Sequence, residues 1–108
     1  MKVIGGAGEY LVPEGALNHY REQLREATMS LGTYSIPAGG TDDQQPHRED
    51  EVYYVVRGRG AFTGGAETVA VEAGTTLFVA AEEPHRFHDI SEDLTILVLF
   101  SPPYTGRG

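Results

Sequence analysis

Short runs of strand-forming residues recur every eight to twelve residues through most of this chain, and that rhythm restricts it to a few architectures. Residues 29–36 (MSLGTYSI) alternate in strand fashion and stop at Pro37-Ala38-Gly39-Gly40. Further runs follow at 52–56, 61–63, 67–71, 75–80, 86–90 and 94–100. Between them stand glycine-rich or acidic segments: Arg57-Gly58-Arg59-Gly60, Gly64-Gly65, Glu72-Ala73-Gly74 and Ser91-Glu92-Asp93. Such a pattern predicts an all-β fold, an antiparallel sandwich or barrel. The last run, LTILVLF, is apolar on both parities, so both of its faces are expected to be covered.

The flanks read differently. Residues 1–8 are glycine-rich, with Val3 and Ile4 the apolar members, and suit either a short edge strand or a loose arm. In residues 14–27, Leu17, Tyr20, Leu24 and Ala27 fall at helical spacing, with Pro13 placed for a first turn. A short helix is expected there, an extended arm being the alternative, with His19 on its polar side. One domain fits 108 residues. It divides into an arm or short helix at 1–28, a barrel at 29–102 and a tail at 103–108.

Composition excludes several functions. The absence of cysteine rules out disulfides, zinc fingers and thiol catalysis, and fits a reducing compartment. MKVIGGAGEY does not read as a signal peptide, and no run approaches the roughly 20 apolar residues of a membrane span. A cytoplasmic location is expected. A net charge of −8 would be repelled by phosphate backbones and anionic lipid, so neither nucleic acid nor membrane is an expected partner.

The chemistry concentrates in residues 45–58, QPHREDEVYYVVRG, and in 74–89. Side chains two apart on a strand share a face. Glu51 therefore opens a face with Tyr53 and Val55, while Val52, Tyr54 and Val56 take the other. A carboxylate opening an apolar strand face needs water or a partner. A fold that joins His47, Glu51 and His85 makes a two-histidine, one-carboxylate set, which holds a divalent metal and leaves positions open.

These stretches resemble the cupin family. Its first motif, G-x5-H-x-H-x3,4-E-x6-G, is matched by Gly39, His47, Glu51 and Gly58, with Gln45 in place of the first histidine. Its second, G-x5-P-x-G-x2-H-x3-N, is matched at Gly74 and His85, while Ala80, Glu82 and Asp89 depart from it. The resemblance implies a jelly-roll barrel holding one divalent transition metal (iron, manganese, zinc, nickel or copper) through His47, Glu51 and His85. Gln45 is the candidate fourth ligand, with Gln44 or water as rivals. A differently shaped turn is expected before His85, because the motif's proline and glycine are missing.

Tyr53 is expected to line the cavity, by packing or as a general acid. His88 reads as a surface histidine or one beside the site, and Arg57, Arg59, Arg86 and Arg107 as surface charges. Three function classes remain open. One is a metal-dependent enzyme on a small, partly apolar organic molecule, either a dioxygenase or oxidase, or an isomerase, cyclase or lyase. Another is a non-catalytic binding or sensor module. The third is a metal-free structural dimer. A homodimer through the Val52, Tyr54 and Val56 face is expected in each case.

Overall fold

The computed structural model describes residues 1–106, so Arg107, expected as a surface charge, lies outside the described residues. Six strands form: β1 (His19–Arg25), β2 (Ser30–Ile36), β3 (Asp50–Gly64), β4 (Glu67–Glu72), β5 (Thr76–Val79) and β6 (His85–Ser101). Every pairing is antiparallel. The order is β1-β2-β6-β3-β4, with β5 added beside β3. This is an all-β jelly-roll barrel.

Two expected breaks are bends instead. β3 continues through Arg57-Gly58-Arg59-Gly60 for 15 residues, and β6 through Ser91-Glu92-Asp93 for 17. Their mutual register slips between Val55 and Ala61. At the bend Gly58 has φ 102°, and a Cβ on it would lie 2.2 Å from the Asp93 carbonyl oxygen. The glycine therefore lets two strands approach closely; it does not end one. In β6, Asp89 takes φ 49°. His85 and Phe87 are buried before it and Ile90, Leu94, Ile96, Val98 and Phe100 after it, so the inward parity changes there.

Bending folds the sheet over its own inner face. Glu51 near the start of β3 pairs with Phe100 at the end of β6, while Gly64 pairs with His85. Between these ends Tyr53, Phe62 and Phe87 fill the interior, with ring centroids 4.7 to 5.6 Å apart. Polar groups from opposite ends of two long strands thus come to the same end of one core.

No helix forms in residues 14–27. β1 pairs with β2 instead, and the Tyr20 ring lies over Gly32, where a Cβ would fall 2.1 Å from its hydroxyl. A bulge between Glu22 and Leu24 then puts Tyr20 on the inner face and Leu24 on the outer one, opposite Leu31. Sheet pairing and cover for a bare glycine outweigh the helical spacing. His19 opens β1, half-buried. The cover expected on both faces of residues 94–100 is partial. Leu97 is half-buried beneath the N-terminal arm at Gly8, but Leu99 is exposed. The C-terminal tail packs: Tyr104 stacks on Phe100 with centroids 4.4 Å apart, and its amide donates to Ser30 Oγ at 2.9 Å.

Candidate metal centre

His47 lies in the loop before β3, and its carbonyl accepts the Glu82 amide at 2.7 Å. Buried Asp42 anchors that loop. Its Oδ1 accepts the Tyr34 hydroxyl at 2.7 Å, and its Oδ2 the Phe87 amide at 2.8 Å. Glu82 stands where the cupin motif has glycine, yet it holds φ 65°, the left-handed conformation that glycine adopts freely. The turn before His85 thus keeps a left-handed residue, without the glycine.

The loop, β3 and β6 bring His47, Glu51 and His85 together, with ligand atoms within 4.8 Å of one another. Relative exposures are 1%, 1% and 7%, so all three groups are withdrawn from bulk water. Each imidazole has its Nδ1 against a backbone carbonyl: His47 on Glu49 at 3.3 Å, and His85 on Glu83 at 2.7 Å. A carbonyl only accepts, so Nδ1 carries the proton and Nε2 presents a lone pair. Both Nε2 atoms face the same oxygen, Glu51 Oε1, at 2.7 and 2.8 Å.

Three lone pairs meeting in a buried space repel unless a cation lies among them. Neither short contact has hydrogen-bond alignment. Of the seven buried, unpartnered side-chain N and O atoms among the described residues, four belong to this trio. The donor set of two imidazole nitrogens and a carboxylate suits a divalent transition metal, so these residues fit one. Without it, a proton is the substitute. Burial opposes charge on His85, but the Glu51 carboxylate and the Glu83 carbonyl outweigh it and raise its pKa. For Glu51, burial pulls upward, and the two imidazoles outweigh it and hold the carboxyl below its usual range.

Gln45 is not brought to this group: its residue is exposed. Gln44 turns inward instead. Its Nε2 donates to Asp42 Oδ2 and to Tyr53 Oη, both at 3.0 Å. With both N–H bonds committed, its carbonyl oxygen is what remains for the cavity. Gln44 and His47, three residues apart, both turn inward, so strand parity does not run from Gln45 to His47. Tyr53 is buried two residues along β3 from Glu51. Burial, aided by the Glu51 and Asp42 carboxylates, pushes its hydroxyl well above the ordinary phenol range. His88 stands apart, with Nε2 2.7 Å from Thr63 Oγ1 and Nδ1 2.7 Å from Asp89 Oδ2.

A cavity of about 270 Å³ opens beside Glu51. Its aromatic wall is Tyr20, Tyr34, Tyr53, Phe100 and Tyr104, and Asn18, Asp43 and Gln44 supply polar groups. Sequence reasoning missed Asp42, Glu49 and Tyr104. Glu49 is fully buried beside His47, its Oε1 3.8 Å from Nδ1 and its Oε2 accepting the Thr105 hydroxyl at 2.9 Å. In the sequence it is one acid among three neighbours. Its alternation with His47 and Glu51 was the available signal.

Residues 32–100 match the family model described as Cupin domain. The uncharacterized protein SCO3923 of Streptomyces coelicolor is 55% identical over 84 residues, which is 78% of this chain and 80% of that protein. Among solved structures, TT1209 from Thermus thermophilus aligns with a TM-score of 0.77 at 21% identity, over 90% of this chain and 92% of its own. The DMSP lyase DddQ from Ruegeria pomeroyi aligns with a TM-score of 0.76 at 17% identity, over 91% of this chain and 57% of its own. Likeness at these identities speaks to the fold.

Proposed function

The chain belongs to the cupin family, and from that premise we propose that it is an enzyme using one divalent metal to act on a small organic molecule in the cavity beside Glu51. One observation carries this reading: the Nε2 lone pairs of His47 and His85 converge on Glu51 Oε1 in a buried position. Those three side chains would hold the ion, with the Gln44 carbonyl oxygen, rather than Gln45, as the candidate protein donor for a further position. When bound, the metal supplies Lewis-acid polarisation of a substrate oxygen or, if redox-active, reactivity with dioxygen.

The chain's own groups do the rest. Tyr53 retains its proton across the physiological range, so it serves as a hydrogen-bond donor or general acid rather than a base. Gln44 fixes the orientation of that hydroxyl, and the aromatic wall excludes water from a bound apolar group. Tyr53→Phe is expected to leave metal content intact and slow turnover. Oxygen consumption during turnover favours an oxygenase or oxidase; turnover without it favours lyase, isomerase or cyclase chemistry. A structural neighbour named as a lyase keeps that branch in view. The second reading is a non-catalytic sensor, favoured by the absence of serine, threonine or lysine from the cavity wall. Metal binding without turnover of any bound small molecule would support it.

The partner of the outer sheet face is a second copy of this chain. Phe78 pairs with Val52, Val52 with Leu99, Leu99 with Leu31 and Leu31 with Leu24. That makes one apolar row across five strands, with Phe78 66% and Leu99 38% exposed. Among the described residues no helix is long and apolar enough to cross a membrane. A cytoplasmic setting fits the cysteine-free composition.

A further inference from the structure

The cavity beside Glu51 has walls that select one kind of ligand by charge and shape. Five of its ten lining residues are aromatic, two are carboxylates (Asp43 and Glu51), and none is lysine, arginine or histidine. A third carboxylate, Asp42, lies behind the wall, bonded to Tyr34 and Gln44. The nearby cation Arg25 is committed to Glu22 and to the Tyr104 carbonyl. No lysine or arginine lines these walls to draw an anionic head, which would meet Asp43 and the π faces away from the Glu51 end. A cation meets both favourably.

The ring geometry is that of a cage rather than a slot. Tyr20 stands at 70° to Tyr34, 72° to Tyr104 and 81° to Phe100, with centroids 5.7 to 6.5 Å apart. Phe100 and Tyr104 form a double wall at 18° to one another. Tyr34 donates a hydrogen bond to the Asp42 carboxylate, which makes that ring more electron-rich. A methylated onium group carries its charge on apolar surface and loses little on entering such a cage.

We propose that this cavity binds a small methylated onium compound, quaternary ammonium or tertiary sulfonium, with the charged head against Tyr20, Tyr34 and Tyr104. An oxygen-bearing tail then points toward Glu51. The tail's direction rests on the metal reading above; the head's recognition does not.

Calorimetric titration with choline and with its uncharged isostere 3,3-dimethylbutan-1-ol tests the proposal, on protein of measured metal content and on chelated protein. Choline is expected to bind at least about tenfold more tightly than the isostere in both forms. Tyr104→Leu should remove most of that preference while metal content and melting temperature hold. Dimethylsulfoniopropionate and glycine betaine compete in separate arms to distinguish sulfonium from ammonium. Equal or tighter binding of the isostere, tighter binding of the anion 3,3-dimethylbutanoate to the chelated protein, or no choline binding by metal-loaded protein would each overturn the cage. Choline binding by a protein that takes up no metal would support the cage and overturn the metal reading alone.

Discussion

Replacing Glu51 by glutamine separates two roles played by one carboxylate. As a ligand it is expected to be indispensable, so Glu51→Gln should weaken metal binding by more than about 100-fold in a metal titration. As the partner of the His85 proton it also supports the metal-free fold, so the chelated variant should melt lower than the chelated parent, most of all below the ordinary histidine range. The glutamines give a second contrast. Gln45→His should leave metal affinity unchanged, since Gln45 is exposed. Gln44→Ala removes one hydrogen bond from Asp42 and one from Tyr53, and the two together should cost about 1–3 kcal/mol in denaturant unfolding. The pH dependence follows from the two shifted groups. The raised pKa of His85 stabilises the metal-free fold fully below the ordinary histidine range, and that contribution is lost as pH rises through the folded-state value. Glu51, held low, contributes above the ordinary carboxyl range and loses this as pH falls through its lowered value. A metal must displace the His85 proton. The melting gain on adding metal should therefore grow as pH rises from below the ordinary histidine range through the raised His85 value. A gain that is flat across that window would contradict this account of Nε2.

Among the elements, β3 and β6 do what separate short strands cannot, because each crosses the fold's bend without a break. Gly58→Ala and Gly74→Ala make a controlled pair: both glycines have positive φ, 102° and 94°, but only Gly58 has backbone within contact of a Cβ. The Gly74 change should cost about 1–2 kcal/mol for its backbone conformation. Gly58→Ala should add about 1–3 kcal/mol of overpacking, and equal losses in thermal unfolding would contradict a close approach there. The sequence showed that strands recur and which residues they contain. Turn and bend share one glycine signature, however, and only the partner strand distinguishes them. Residues 14–27 were ambiguous for a related reason: Tyr20 and Leu24 show helical spacing, and what decides for a strand, the bulge between Glu22 and Leu24 and the cover for Gly32, depends on β2. In the site, His47, Glu51 and His85 were legible because ligand spacing is local to motif stretches. Gln44 was legible only as a rival to Gln45, because its inward turn depends on Asp42 reaching the β6 backbone at Phe87. Tyr104 was not, because a tail's packing partner leaves no mark on its own few residues.

At the scale of the whole molecule, a barrel with one loaded end and one apolar outer face is expected to work as a metal-bearing dimer. Light scattering should give twice the chain mass, and Phe78→Glu should give a monomer with its metal response retained; a monomeric parent protein would contradict the dimer. The central claim is that His47, Glu51 and His85 enclose a cation. Metal analysis of protein purified without added metal, with melting before and after chelation, tests it most directly. About one divalent ion per chain is expected, and resupplying it at a hundredfold its dissociation constant should restore about 2.7 kcal/mol, a melting rise of roughly 10 °C. Protein that carries no metal, and whose melting is unmoved by iron, manganese, zinc, nickel and copper, would contradict the account.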